Sequence, residues 1–280
     1  MPMTTHTTPF DRTAAARWTA AQLRAAIRDG GCDCPTAGLA QGFVQSNVVI
    51  LPSDAAEEFA EFCRLNPRPC PLLEQTAVGD PEPKQAAAGA DLRSDVPRYR
   101  VFRQGVAEAA APTDIHELWH DDLVGFLIGC SFTFERALLE AGLPVRHIAE
   151  NRNVPMYRTQ VACRPAGRFS GAMVVSMRPF PPQLVDEAIR ITSMYPRMHG
   201  APVHVGDPSA LGITDIHKPD FGDAVTIQPG ETPVFWACGV TPQLAIAAAR
   251  CELAITHSPG CMFVTDWRDE DFCDGPQPLG

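Results

Sequence analysis

Two short stretches of the sequence place a cysteine where a strand is expected to turn into a helix. Cys130 follows an apolar run that ends in Gly129, and Cys238 follows the apolar run 234–237. Backbone N–H groups at the start of a helix favour a thiolate and bind anions. We therefore predict that the two thiols act in one site and that both are catalytic.

The two stretches match at further positions. Thr133 and Thr241 lie three positions after their cysteines, and Glu135 and Gln243 lie five positions after them. The match predicts an internal duplication, with two related half-domains and a site between them. We assign Glu135 to acid–base chemistry, and both threonines and Gln243 to substrate binding. The alternative is that two apolar segments resemble each other by chance and hold ordinary buried cysteines.

Three histidines compete with these groups for the acid–base work. His199 and His204 bracket a Gly-Ala-Pro turn, which is expected to bring both rings to one surface. Because an unperturbed histidine titrates near neutral pH, either can move a proton, and we predict catalytic roles for both. His257, in the polar turn 256–260, is assigned to substrate binding. The alternative is that the rings only fix the loop through hydrogen bonds to the backbone.

Two arginines are candidates to bind a substrate carboxylate. Arg158 and Arg178 each end an apolar or proline-flanked run instead of lying in a charge cluster. The guanidinium group suits this role because it can donate two parallel hydrogen bonds. A purely structural or surface role is the alternative for each.

A metal site is also conceivable in the segment 199–223. The spacing of His199 and His204 matches no strong zinc pattern, and histidine and aspartate in loops more often form turns. We predict no metal ligand and no cofactor, and keep a divalent metal ion as the alternative. The candidate ligands are His199, His204, Asp207, Asp215, His217, Asp220 and Asp223.

The elements that must position these side chains are short, since 27 prolines and 21 glycines interrupt the chain. We expect a single α/β unit with mixed sheets, or an α+β arrangement, with a small N-terminal region. The predicted division is a flexible tail 1–16, an N-terminal α/β region 17–110, a catalytic core 111–270 and a flexible tail 271–280. The clearest predicted elements are helices 18–28, 53–64 and 184–195, and strands 48–51, 99–103, 171–179 and 262–264.

Composition narrows the class of protein. A hydrophobic content of 45% and a charged content of 20% are those of a globular protein. The net charge of −10 argues against a nucleic-acid partner. No apolar run approaches the ~18 residues of a membrane helix, and no apolar signal core begins the chain. We therefore expect a cytoplasmic protein with reduced cysteines, a small carboxylated substrate, no membrane partner, and a homo-oligomeric state such as a homodimer.

The ordered set of motifs resembles one family. Segments 121–135, 153–159, 174–179, 199–208, 234–243 and 256–260 together resemble the D-glutamate cyclase family, whose members are called hydro-lyases. The resemblance runs from about Trp18 to Asp266. It implies a lyase that removes water from D-glutamate to give 5-oxo-D-proline, and it does not indicate which residues are catalytic.

Three functions follow from these observations. The first is a carbon–oxygen hydro-lyase or cyclase that acts without a cofactor on a small amino or carboxylic acid. The second is an amino-acid racemase or epimerase that uses Cys130 and Cys238 as its two bases. The third is a non-catalytic subunit that binds a small molecule.

Overall fold

The computed structural model of the protein describes residues 10–274 and contains two antiparallel sheets with helices packed on them. The α/β class is confirmed. The strands are β1 Phe43–Pro52, β2 Leu72–Gln75, β3 Tyr99–Arg103, β4 Val106–Ala107, β5 Leu123–Gly129, β6 Met156–Ala162, β7 Ala172–Phe180, β8 His204–Val205, β9 Thr232–Ala237, β10 Leu253–His257 and β11 Phe263–Arg268. The helices are α1 Arg12–Ala15, α2 Ala20–Arg28, α3 Ser53–Leu65, α4 Phe132–Glu140, α5 Arg146–Ala149, α6 Val185–Ser193 and α7 Thr241–Ala249.

The larger sheet is built around β1. Its strand order is β2-β5-β1-β10-β3-β4. β11 pairs with the first part of β1, on the same edge on which β10 pairs with its later part. The smaller sheet has the order β6-β7-β9-β8. β1 comes from the predicted N-terminal region, and its partners β5, β10 and β11 come from the predicted core. The division of the chain into these two regions stays a prediction.

The continuous apolar runs of the sequence arise because the central strands are buried on both faces. In β1, Val49 and Leu51 face the core between the two sheets, while Val48 and Ile50 pack under the segment 86–96. In β9, Phe235 and Ala237 face the same central core, while Val234 and Trp236 pack against α4 and α6. The segment 86–96 thus covers one face of the larger sheet.

Both ends of the described chain are packed against the sheets. In the segment predicted as a flexible tail, Asp11 caps α1 and Ala15 is fully buried. Near the other end, Phe272 is buried beside Trp267. The predictions for residues 1–9 and 275–280 lie outside the described residues. None of the helices within 10–274 is both long and apolar enough to cross a bilayer.

Candidate active site

The two cysteine turns have the same backbone form. β5 and β9 each end one residue before their cysteine, and α4 and α7 each run for nine residues after the turn. Thr133 N–H donates to the carbonyl of Cys130 at 3.3 Å, and Thr241 N–H donates to the carbonyl of Cys238 at 3.0 Å. The predicted strand–cysteine–helix arrangement is therefore present twice, once in each sheet.

Both cysteines line one small cleft between the two sheets, which we call the cysteine cleft. Its polar lining also includes residues from β1, β10 and the loops that follow β5, β9 and the 196–198 turn. These polar residues are Asn47, Cys130, Ser131, Asn153, His199, Cys238 and His257. Its volume is about 30 Å³, which is room for a water molecule or two. A molecule of the size of an amino acid would therefore fit only after side chains around the cleft had moved.

Both thiols are protonated near neutral pH. Burial raises the pKa of the Cys130 thiol to about 12 and that of the Cys238 thiol to about 11. The N–H groups of Phe132 and Val240 lie beside the two sulfurs and act in the opposite direction, but they are outweighed. The helix starts that were expected to stabilise thiolates are present, and desolvation decides the protonation state.

The two histidines of the cleft are held neutral in opposite tautomers. Burial lowers the pKa of both rings to about 4. His199 Nδ1 lies 2.7 Å from the carbonyl of Arg68, which can only accept, so Nδ1 carries the hydrogen and Nε2 a lone pair. His257 Nδ1 lies 3.1 Å from the nitrogen of Val48 and 3.3 Å from the carbonyl oxygen of the same residue. Because the shorter contact is the one in which Nδ1 accepts the Val48 N–H, we assign the hydrogen of His257 to Nε2.

The backbone at His199 is unusual. This residue has φ 76°, in the left-handed region that side chains other than glycine seldom adopt. The turn 196–198 that precedes it lies against Gly129, where a methyl group would overlap the carbonyl of Arg197. A strained backbone at a cleft residue is typical of functional sites.

Glu135 and Arg178 form a buried ion pair behind the first cysteine turn. Arg178 Nε lies 3.1 Å from Glu135 Oε1, and both side chains are buried. His147 Nε2 lies 3.2 Å from the same oxygen, in a direction that makes no good hydrogen bond. Although burial raises the pKa of Glu135, the neighbouring His147 and Arg178 side chains lower it to about 2.

Arg178 does not line the cleft and is connected to it only by a hydrogen bond to Ser131, which does. Its Nη2 donates to Ser131 Oγ at 3.0 Å, its Nη1 donates to Ser176 Oγ at 3.0 Å, and its carbon Cζ lies 5.4 Å from the Trp236 ring. Because the side chain is fully buried and does not line the cleft, the structure places it as a support for the turn.

The remaining predicted residues lie outside the lining of the cleft. Gln243 Nε2 donates to the carbonyl of His257 at 3.4 Å, and Thr241 Oγ1 accepts the N–H of Val174 at 2.9 Å. Thr133 is buried, and its hydroxyl has no partner within residues 10–274. Arg158 is half exposed and lies over Phe221.

His204 does not share a surface with His199, contrary to the prediction for their loop. It lies on β8 at the edge of the smaller sheet, its Nε2 is 2.7 Å from the carbonyl of Asp207, and its ring packs near Phe235. The aspartates of the segment hold backbone groups: Asp220 accepts from Arg158 N–H and Asp223 from Asn153 N–H. In the part of the chain that the structure describes, no three His, Cys, Asp or Glu side chains gather as metal ligands.

A larger cavity adjoins the cysteine cleft. It has a volume of about 540 Å³ and is lined by the loop 37–43 and by one side of α4. Phe132 is half-buried and lines both this cavity and the cleft.

Three cleft features escaped the sequence analysis. Asn47 is a buried amide in the middle of the apolar strand β1, and its Nδ2 donates to the carbonyl of Gly129 at 2.8 Å. A polar residue inside such a run was a usable signal. Ser131 and Asn153 also line the cleft, but nothing in their local sequence distinguishes them from ordinary turn residues.

A cleft between two packed sheets, with neutral acid–base side chains converging on it, is typical of enzymes that act on small molecules. The sequence profile described as D-glutamate cyclase matches residues 124–266. The chain is 60% identical over 251 residues to a protein of Bacillus licheniformis named "Putative hydro-lyase", covering 90% of this chain and 95% of the relative. It is also 56% identical to a protein of that name from Geobacillus kaustophilus, covering 92% and 98% of the two chains. The chain belongs to the D-glutamate cyclase family.

Proposed function

We propose that the cysteine cleft removes water from a small carboxylated amino acid, and that the cyclisation of D-glutamate is the reaction to test first. The observation that carries the proposal is the pair of neutral histidines, one with a free lone pair and one with an N–H, beside two protonated thiols. The name of the relatives and the description of the family support a carbon–oxygen lyase. The comparisons give no support to the racemase or to the binding subunit.

The reaction sets clear demands on the site. The amino nitrogen attacks the δ-carboxyl carbon, a C–N bond forms and a C–O bond breaks. Two protons leave the ammonium nitrogen, and the departing oxygen gains two protons to become water. The substrate and the products, 5-oxoproline and water, carry the same net charge, so the protein must only accept protons at one place and donate them at another.

The two histidines fit these two places. His199 Nε2 is the acceptor, and once protonated the ring is favoured by the carbonyls of Arg68 and Gly129 beside it. His257 Nε2–H is the donor to the departing oxygen, with no hydrogen-bond partner among the residues described. Their low pKa values keep both rings neutral at the start of the cycle.

The cysteine turns fit the negative charge that develops on oxygen. The N–H groups of Ser131 and Gly239, one position after each cysteine, have no acceptor in the described part of the chain, and both residues line the cleft. Such fixed donors stabilise an oxyanion. The thiols of Cys130 and Cys238 add two neutral donors on the same walls.

Arg178 is a positioning residue in this proposal. It bonds Ser131 and Glu135 at once, and so fixes the first turn relative to α4. Changing it to Lys removes the fork that makes these bonds while keeping the charge.

The decisive experiment incubates the purified protein with D- and L-glutamate in D₂O and follows 5-oxoproline and the α-hydrogen by NMR. A cyclase forms 5-oxoproline from one enantiomer and leaves the α-hydrogen unexchanged. Deuterium at the α-carbon with inversion would instead establish a racemase. Carboxylate oxygen labelled with ¹⁸O should appear in water in step with 5-oxoproline.

Matched variants test the assigned roles. His199→Gln and His257→Gln should each lower kcat by about 10²-fold or more, the usual share of acid–base catalysis. His116→Gln serves as the control, because that ring is half exposed and bonds Asp114 away from the cleft. Full activity of both cleft variants would remove the histidine pair from the mechanism.

A further inference from the structure

A third cavity lies along α4, separate from the cysteine cleft, and shares Arg136, Glu140 and Asp269 with the cavity of about 540 Å³. It has a volume of about 290 Å³ and lies between α4 and the segment that follows β11. Thr133 and Arg136 line it from α4, and Asp269 lines it from the other side. Its size is close to the lower limit of pockets that hold small organic ligands, about 300 Å³.

Two of the residues that line this cavity each have a buried polar atom without a hydrogen-bond partner among the described residues. In residues 10–274, only three buried side-chain nitrogen or oxygen atoms have no hydrogen-bond partner, and two of them are Thr133 Oγ1 and Asp269 Oδ1. Thr133 is 3% exposed and Asp269 is 7% exposed. An unpaired buried polar atom costs about 1–3 kcal/mol, so two of them around one space indicate a polar occupant.

The charges around the cavity have both signs. The Arg136 side chain uses Nε to bind Glu140 Oε1 at 2.8 Å, and its Nη groups have no hydrogen-bond acceptor among the described residues. Asp269 provides an unpaired carboxylate oxygen on the opposite wall. Burial raises the pKa of Asp269 to about 7, although the charge of Arg136 acts to lower it. A cation placed beside Asp269 would therefore stabilise its ionised carboxylate.

We propose that this cavity is an accessory site for a small amino-acid zwitterion. The ligand's ammonium group meets Asp269 Oδ1 and the Thr133 hydroxyl, and its carboxylate meets the Arg136 guanidinium. The site does not depend on the proposed reaction. Thr133 directly follows Phe132, so an occupant of this cavity contacts α4, the helix that begins at the cysteine cleft.

Calorimetric titration of the full-length protein with alanine tests the site, because alanine is a zwitterion without the second carboxylate of the proposed substrate. Alanine should bind, whereas N-acetylalanine, which lacks the ammonium group, and alaninamide, which lacks the carboxylate, should bind at least 10-fold more weakly. Equal binding of all three compounds, or no binding of alanine, would overturn the proposal.

Two variants locate the binding. Thr133→Val and Asp269→Asn should each weaken alanine binding about 10-fold or more, as expected for loss of a charge-assisted hydrogen bond. Thr133→Val should also keep or raise the melting temperature of the free protein, because it removes an unpaired hydroxyl. A Cys130→Ser, Cys238→Ser double variant should bind alanine unchanged. If that double variant loses binding while the Thr133 and Asp269 variants keep it, alanine occupies the cysteine cleft and the accessory site does not exist.

Discussion

The two cysteine turns have the same backbone form, but different side-chain interactions stabilise their surroundings. At the first turn, Glu135 is charged and lies between Arg178 and His147. At the second, Gln243 stands at the same offset from its cysteine, is neutral, and makes one long bond to His257. The threonines differ in the opposite sense, since Thr241 is hydrogen-bonded and Thr133 is not. The comparison shows that two turns with the same backbone form can be stabilised differently. Charged side chains surround the turn on one side of the cleft, and neutral side chains surround the turn on the other.

The largest expected effect lies at the matched acidic and amide positions. Glu135→Gln should lower the free energy of unfolding by about 3–5 kcal/mol, because Arg178 is left buried without its counter-charge. Gln243→Met should cost about 1 kcal/mol or less, because the bond at 3.4 Å is weak. Urea unfolding of both variants measures the difference. Equal losses would mean that the ion pair does not distinguish the two turns.

The next largest losses of stability are expected for substitutions of the glycines next to the cysteines. A methyl group on Gly129 would overlap the backbone carbonyl of Arg197, and one on Gly239 would overlap the side chain of Asn47. Gly129→Ala should therefore destabilise the protein by about 1–3 kcal/mol, the usual cost of overpacking, and Gly239→Ala by less, since a side chain can rotate away. Thermal unfolding gives the order, and a greater loss in Gly239→Ala would contradict it.

The dependence of stability on pH should report on the two histidines of the cysteine cleft, His199 and His257. Both rings have folded-state pKa values lowered to about 4, so the unfolded chain binds more protons between about pH 4 and 6.5. Stability should thus fall as the pH falls through this window, by about 1 kcal/mol per histidine at pH 5.5. His199→Gln and His257→Gln should each remove one share of that slope.

The titration of Asp269 changes the stability in the opposite direction, and this determines which control the measurement needs. The raised pKa of Asp269, about 7, makes its contribution decline as the pH rises towards 7. The variants must therefore be compared with the unmodified protein at each pH. An unchanged slope in both histidine variants would show that neither ring is held neutral by folding.

The last comparison, in which the sign of the effect matters more than its size, concerns the threonines. Thr241→Val removes the acceptor of the Val174 N–H and should cost about 1–3 kcal/mol. Thr133→Val replaces an unpaired hydroxyl and should be neutral or stabilising by up to about 1 kcal/mol. Unfolding curves show whether the two variants change the stability in opposite directions or whether both lose stability. A common loss would show that the Thr133 hydroxyl has a partner in solution.

The elements could be predicted where the sequence pattern is local. Strand 99–103 was predicted with its observed bounds, and helix 53–64 ends one residue early. The strand 48–51 was too short, because Asn47 and Ser46 interrupt the apolar run although the larger sheet buries them. β10 was missed because its last residues were assigned to a polar turn.

The candidate site could be predicted only where chemistry follows from residue type. The cysteine turns were visible as a repeat, but the protonation of their thiols depends on burial, which no short stretch encodes. The same holds for Arg178, whose proline-flanked position indicated a ligand contact and whose surroundings in space are Ser131, Glu135 and Trp236. His199 and His204 were grouped by spacing, and the turn between them directs them to different surfaces.

The position of β1 has a consequence for how the chain folds during its synthesis. One edge of this strand pairs with β5, but the other edge pairs only with residues from 253 onwards. A growing chain therefore exposes an unpaired, apolar strand edge until residues 253–268 have left the ribosome, and such edges promote aggregation. Because the pairing also joins residues about 200 positions apart, this step of folding should be slow. The centre of the larger sheet can thus be completed only after β10 and β11 have been made.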